Sequence, residues 1–321
     1  MGSERFLVTG GQGFIGAWIV KTLLEMNYDV IAYDVYDQPT RMSVLLNPES
    51  LKHVEFVHGD INNLDLLKEL IEKKSITYFI HVAALMTPDC RANPIRGAVA
   101  NVLGTLSAFE AVKTYKSQVK CIAYASSGAV LGPDEKYKSH PIVDEAPALP
   151  ATIYGVYKRT NEECARIYWE EEGIRSVGLR PGMVYGPGRE RGFSDPTLAL
   201  KAALLGKEYK IGFGGLANMQ FVADVAKSFI SCALKAPQDA PVFNISGELL
   251  DVQDMIGYIE ELVPSSKGRI TFLNNRLAMA VNVEDNGLQK LIGPFMATKF
   301  REGIGITADF FRKLLRENKL H

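Results

Sequence analysis

Tyr154 and Lys158 stand four residues apart in Tyr154-Gly155-Val156-Tyr157-Lys158, inside a stretch whose pattern predicts a helix over 152–173. Four residues are about one helical turn, so the phenol and the ammonium project from one face. An unperturbed phenol titrates at about 10, and a nearby ammonium favours the phenolate, which eases proton exchange with an alcohol. Tyr154 is thereby the candidate acid/base and Lys158 its tuner. Tyr157 adjoins Lys158 in sequence but lies on another face and cannot use that charge in the same way. The same spacing also arises on ordinary amphipathic helices, so its chemical meaning depends on its surroundings. Hydroxyls come from Ser126 and Ser127 in Tyr124-Ala125-Ser126-Ser127-Gly128-Ala129. They follow an apolar strand, at the end where open α/β sheets bind ligands, and one could hydrogen-bond the substrate oxygen on which Tyr154 acts.

These side chains need a scaffold that brings strand ends and a helix face together. The chain opens with one: Arg5-Phe6-Leu7-Val8-Thr9 reads as a strand, Gly10-Gly11-Gln12-Gly13-Phe14-Ile15-Gly16 as a glycine-rich turn, and 17–26 as an apolar-faced helix. Gly10, Gly13 and Gly16 let the backbone turn sharply and approach a pyrophosphate. Phe14, Ile15 and Gly16 lie where the helix presents free N–H groups and its positive end to the same anion. A glycine turn can also merely reverse a strand into a helix, but here the next strand, 28–33, ends at Asp34, about where a dinucleotide site expects an acid. Its carboxylate can accept hydrogen bonds from the adenosine ribose and would meet a 2′-phosphate with like charge. No Arg follows in the next few residues, so the expected cofactor is NAD rather than NADP. Asp37 is the better candidate for a solvated turn acid.

Strands at 54–58, 78–82, 119–125 and 176–180 alternate with helices at 64–71, 99–115 and 152–173. Continuous apolar strands between helices predict a parallel sheet covered on both faces. Beyond Pro181 the rhythm loosens into Gly186-Pro187-Gly188 and Gly212-Phe213-Gly214-Gly215, and helices recur near 196–205, 223–235, 252–263 and 307–318, with Asp195-Pro196 as a cap and first-turn pair. The expected organisation is a cofactor domain over 1–180 that carries the Ser/Tyr/Lys set. A mainly substrate-binding lobe over 181–321 folds together with it.

At 321 residues, 47% hydrophobic and 23% charged, the composition is that of a soluble globular protein. Thirty-six Lys and Arg against 37 Asp and Glu leave a formal charge of −1, so no global field favours nucleic acid or a membrane surface, and the expected partner is a small molecule. Cys90, Cys121, Cys164 and Cys232 form no C-x-x-C pair and have no His at ligand spacing, which argues against a metal and for a reducing compartment. No apolar run reaches membrane-spanning length, and a strand beginning at Arg5 leaves no room for a signal segment. A cytoplasmic location is expected.

Further motifs extend the pattern: Thr9-Gly10-Gly11-Gln12-Gly13-Phe14-Ile15-Gly16, Gly59-Asp60-Ile61, His81-Val82-Ala83-Ala84, Asn101-Val102-Leu103-Gly104-Thr105, Ser126-Ser127, Tyr154 with Lys158, and Leu179-Arg180-Pro181-Gly182-Met183-Val184-Tyr185-Gly186-Pro187-Gly188. In that order, along most of the chain, they resemble the extended short-chain dehydrogenase/reductase family, the NAD-dependent epimerase/dehydratase group. The resemblance implies an α/β fold with a Rossmann-type doubly wound parallel sheet and a smaller C-terminal α/β substrate lobe. It implies that Asp60 and Ile61 contact the adenine, that Val82, Ala83 and Ala84 line the cofactor cleft, and that Asn101 supports the catalytic helix or the cofactor. Ser127 is then the catalytic hydroxyl, with Ser126 beside it, while Pro181 and Met183 lie near the nicotinamide. Met86, Ser126, Ser127, Arg189 and Arg191 are the candidate substrate contacts. His81 is expected to be a satisfied core histidine. The resemblance also suggests a homodimer packed through the long helices near 99–115 and 154–172.

Departures from the family pattern narrow the chemistry. Family dehydratases resemble Ser/Thr-Asp-Glu at the catalytic hydroxyl and related decarboxylases carry Glu at the place of Ala129, but this chain reads Ser127-Gly128-Ala129. Nucleotide-sugar members usually place an Arg shortly before Phe/Tyr-Val-x-Asp-Val, and here Ala217 precedes Phe221-Val222-Ala223-Asp224-Val225 at that position. Arg189 and Arg191 could instead clamp a carboxylate or phosphate, because guanidinium forks suit planar oxyanions. The leading expectation is an NAD-dependent oxidation of a secondary hydroxyl on a small sugar, sugar acid or polyol. A nucleotide-sugar epimerase with a transient ketone and a catalytically silent NAD-binding sensor stay open as alternatives.

Overall fold

The computed structural model describes residues 4–189 and 195–320. Strands β1 (Arg5–Thr9), β2 (Asp29–Asp34), β3 (Glu55–His58), β4 (Tyr78–His81), β5 (Cys121–Ala125) and β6 (Ser176–Arg180) fall within a residue or two of the expected runs. Then come β7 (Met183–Tyr185), β8 (Tyr209–Ile211), β9 (Leu216–Phe221), β10 (Val242–Asn244), β11 (Glu248–Asp251) and β12 (Ile270–Phe272). The main sheet has the order β3-β2-β1-β4-β5-β6-β10, with every neighbouring pair parallel. Because both faces are covered, the strands need no polar alternation, and Phe6, Leu7 and Val8 are all fully buried. Helices Phe14–Glu25 and Val222–Lys235 share the core on one face. Helices Leu64–Lys73, Gly104–Thr114 and Ile153–Glu172 contribute to the core on the other.

Part of the chain beyond residue 180 returns to the main sheet. Helix Val222–Lys235 buries Val225, Ala226, Phe229 and Ile230 in the same core as the first helix, and β10 then pairs with β6. The lobe that remains is built on the sheet β11-β9-β7, the pair β12-β8 and helices Asp195–Leu204, Val252–Leu262 and Phe300–Arg316. Amphipathicity says that a helix has an apolar face but not which of two cores receives it, which is why the return to the sheet is invisible in the sequence.

Two helices also start earlier than expected. The one read over 99–115 begins at Pro94 and passes through a π-helical turn, Val99–Leu103, before Gly104–Thr114. The last begins at Phe300 rather than near 307. A Cβ on Gly303 would lie 2.2 Å from the Tyr185 hydroxyl, so the helix needs a glycine to pack against that ring.

Candidate active site

The C-terminal ends of β1, β2, β3, β4, β5 and β6 bring the expected cofactor residues to one edge of the sheet, where open α/β sheets bind their ligands. Gly10 has φ +70°, and a Cβ on it would sit 2.6 Å from the Ala83 nitrogen, so the turn must carry glycine both for conformation and for room. Gly16 is equally confined, its Cβ position lying 2.0 Å from the Gly10 carbonyl oxygen. Gly13 precedes helix Phe14–Glu25 without a side-chain cap, and the first turn holds no acidic residue, leaving the N–H groups of Phe14, Ile15 and Gly16 suited to an anion. At the end of β2, Asp34 accepts hydrogen bonds from the Gln12 N–H at 2.9 Å and the Tyr36 N–H at 3.2 Å. The Gln12 side-chain oxygen beside it is buried without a partner. This cradle fits a dinucleotide. Asp60 is exposed after β3, Ile61 is buried against Gly104, and Val82, Ala83 and Ala84 are half-buried after β4.

Ser127, Tyr154 and Lys158 meet at the end of β5. Close packing makes this possible: Gly155, next to Tyr154, has its Cβ position 2.2 Å from the Ala129 carbonyl oxygen, so a side chain there would push the helix off the Ser127 turn. Burial pushes the Tyr154 phenol up to about 12, opposed by a hydrogen bond with Ser127 and by the charge of Arg189. Burial pulls the Lys158 ammonium down to about 8. Lys158 lies beside the phenol and is held by the strand end. The ammonium donates to the Ala125 carbonyl at 2.8 Å and stands 5.8 Å from the centre of the Tyr154 ring. Tyr157 faces elsewhere and donates to the Pro94 carbonyl at 2.8 Å.

Asn101 lies in the π-helical turn, fully buried, with its Nδ2 donating to the carbonyls of Gly97 and Leu85. Its backbone carbonyl accepts from Asn161 Nδ2 at 2.9 Å, which ties this turn to helix Ile153–Glu172. His81 is buried between Thr9 and Thr105, bonded through both ring nitrogens, and burial brings its pKa down to about 3. It is a neutral core residue.

Ser126 does not open to the cleft. It is buried and donates to Glu162, whose carboxylate is gripped by Arg180 through Nε at 2.8 Å and a second nitrogen at 2.9 Å. Arg180 also donates to the Asp144 carbonyl and the Asn244 side chain. This ion pair joins the ends of β5, β6 and β10 to helix Ile153–Glu172, and the sequence reading missed it. The available signal was Glu162 itself, one turn beyond Lys158 and two beyond Tyr154 on a face that is otherwise buried.

Pro181 and Met183 are buried beyond β6, and Met86 is exposed before helix Thr87–Ala92. Arg189 lies with its guanidinium 5.0 Å from the centre of the Phe14 ring. Burial and the nearby Arg41 pull its pKa down to about 10, while Tyr154 works against them. Trp18 donates to the Pro187 carbonyl and Arg41 to the Gly188 carbonyl, docking that turn on the glycine-rich loop. Arg191 lies outside the described residues.

The family model for the NAD dependent epimerase/dehydratase family matches residues 6–246. The chain belongs to this family. It is an NAD-dependent enzyme of the extended short-chain dehydrogenase/reductase type. A putative UDP-glucose 4-epimerase of Methanocaldococcus jannaschii is 34% identical over 227 residues, 69% of this chain and 71% of that protein. The dTDP-4-dehydro-6-deoxyglucose reductase of Escherichia coli is 24% identical over 261 residues, 79% of this chain and 80% of that protein. The crystal structure of UDP-glucose 4-epimerase from Thermotoga maritima with UDP-glucose matches with a TM-score of 0.83 at 24% identity, over 97% of this chain and 99% of that one, a likeness of fold. Among the described residues, no helix is long and apolar enough to cross a membrane.

Asp34 makes the cofactor preference testable. Calorimetric titration of this NAD-dependent family member should show NAD binding more tightly than NADP. Asp34→Ser weakens the glycine loop for both cofactors because Gln12 loses its acceptor. The ratio should nevertheless narrow by about 1–3 kcal/mol. Equal or tighter binding of NADP by the wild type would refute the role given to Asp34.

Proposed function

We propose that the enzyme oxidises a secondary hydroxyl of a small sugar, sugar acid or polyol, with Tyr154 taking the hydroxyl proton. NAD, when bound, supplies the acceptor for the carbinol hydride. Ser127 hydrogen-bonds the reacting oxygen and holds it against the phenol. Lys158 keeps a positive charge one turn behind Tyr154, which favours the phenolate that acts as base. Arg189, at the mouth of the cofactor cleft, suits an acidic group on the substrate or the cofactor.

Ala217 carries the choice of an unlinked substrate. It is 0% exposed on β9, packed into the core of the smaller lobe, at the position where family nucleotide-sugar enzymes place an Arg. A missing charge-assisted anchor for pyrophosphate forfeits on the order of 1.5–3 kcal/mol. A panel of unmodified sugars, sugar acids, polyols and nucleotide sugars, followed by NADH absorbance, should show net NADH only with unlinked members. UDP-glucose and UDP-glucuronate should give neither epimer nor tight binding. The second reading, a nucleotide-sugar epimerase, is favoured by the names of several relatives and by an open cleft of about 590 Å³ that Arg276 lines. Robust conversion of either UDP-sugar without NADH accumulation would make that reading the right one.

The enzyme works as a homodimer in this proposal. Ile95, Val99 and Leu103, spaced four apart, are 79%, 39% and 51% exposed, and Ile153 and Val156 stand exposed on the neighbouring catalytic helix. Two copies pairing these helices would bury one continuous apolar face. Sedimentation should find a dimer, and Leu103→Glu with Val156→Glu should leave monomers. A monomeric wild type would rule this interface out. Four cysteines without a disulfide suit a reducing compartment, which fits a cytoplasmic enzyme.

A further inference from the structure

The segment between β12 and helix Asn286–Ile292 runs over the substrate side of the site as a strap tied at both ends. Its first part is held by the Gly214 N–H on the Asn275 carbonyl at 2.9 Å. Its second part is held more densely. Asp134 accepts from the backbone N–H groups of Val281 and Asn282, Asn218 donates to the Val281 carbonyl at 3.0 Å, and Ile142 pairs with Asn282 and Glu284 through the backbone. Ala280 packs with Leu131 and Ile142. Met279 sits between these anchors.

Met279 lines two neighbouring spaces. One is the cleft of about 590 Å³, lined by Tyr137, His140, Asp251, Arg276 and Leu277 as well as Met279. The other is an interior gap of about 10 Å³ against Gly128, Gly182, Met183 and Gln220, next to the catalytic turn. The methyl of Met279 reaches into the turn itself: a Cβ on Gly128 would meet its Cε at 2.7 Å, and one on Gly182 at 3.8 Å. Gly128 stands where family dehydratases carry an acid, and the room that such a side chain would take is filled here by Met279.

We infer that Met279 is a specificity-determining residue, a stopper that denies the space beside Ser127 to substrates reaching in from the open cleft. A sugar whose nucleoside diphosphate lies in the open cleft must pass the Met279 methyl to bring its hydroxyl to Ser127. This rests on the placement of substrate at Ser127 in the reading above.

Calorimetric titration of UDP-glucose into the NAD-loaded enzyme tests it without any turnover. Met279→Ala should bind UDP-glucose more tightly than the wild type by on the order of tenfold, the discrimination that a methylene-scale clash provides. Met279→Gln keeps the reach of the side chain and should behave as the wild type does. Unchanged binding in Met279→Ala, an absence of binding in both, or an equal gain in Met279→Gln would each overturn the inference. The substrate panel can fail to yield an NADH-forming alcohol while UDP-glucose binding still depends on Met279, and the reverse can also occur, so the two proposals fail separately.

Discussion

Replacing Tyr154 with Phe lowers turnover by about two to four orders of magnitude and leaves NAD binding nearly intact, the result expected when a general base is removed from its site. The change deletes one oxygen from a ring that is only 5% exposed, so packing is retained and the lost chemistry dominates. Steady-state rates with the alcohol that the NADH panel returns, alongside calorimetry with NAD, separate the two effects. The pH profile carries a second signature. With the phenol pushed up to about 12 by burial, its deprotonated fraction grows with pH throughout the range below that value. Oxidation by the wild type should therefore quicken on the alkaline side of neutrality, bending near 8 where Lys158 loses the charge that favours the phenolate. Tyr154→Phe should lose the rising limb. Tyr157→Phe should do little, since that hydroxyl is spent on the Pro94 carbonyl. A Tyr157 variant more damaging than the Tyr154 one would reverse the roles.

Glu162→Ala should cost about 3–5 kcal/mol of stability, because it leaves the Arg180 guanidinium buried without its counter-charge. The pair is nearly closed to solvent, with side chains 4% and 2% exposed, and Glu162 also receives the Ser126 hydroxyl. Removing both charges together, as Glu162→Leu with Arg180→Met, should recover most of that loss, since desolvating two ions offsets much of their attraction. Urea denaturation of the single and the double variant alongside the wild type measures this. A single variant within about 1 kcal/mol of the wild type, or a double variant no more stable than the single, would show that the pair does not hold the sheet ends together as described. The single variant should also turn over more slowly, because Ser126 adjoins Ser127, the hydroxyl proposed to hold the reacting oxygen.

Local features of this protein were legible in its amino-acid order. The glycine turn, the strand ending at Asp34 and the one-turn spacing of Tyr154 and Lys158 each lie within a few residues, where backbone geometry alone relates sequence to shape. The parallel sheet was legible for the same reason: an apolar run between two helices has few other arrangements. What the tertiary structure decided involves residues far apart. Val242–Asn244 completes a sheet begun at Arg5, Glu162 finds Arg180 across two strand ends, and Met279 fills the room left by Gly128. Even the setting of Tyr154 belongs here, because spacing brought Lys158 to the right face while burial raised the phenol and the Ala125 carbonyl took a hydrogen bond from the ammonium. Periodicity along a chain reports which face of an element is apolar. Which group closes over that face, and how dry it becomes, depends on segments that meet only when the lobes have packed.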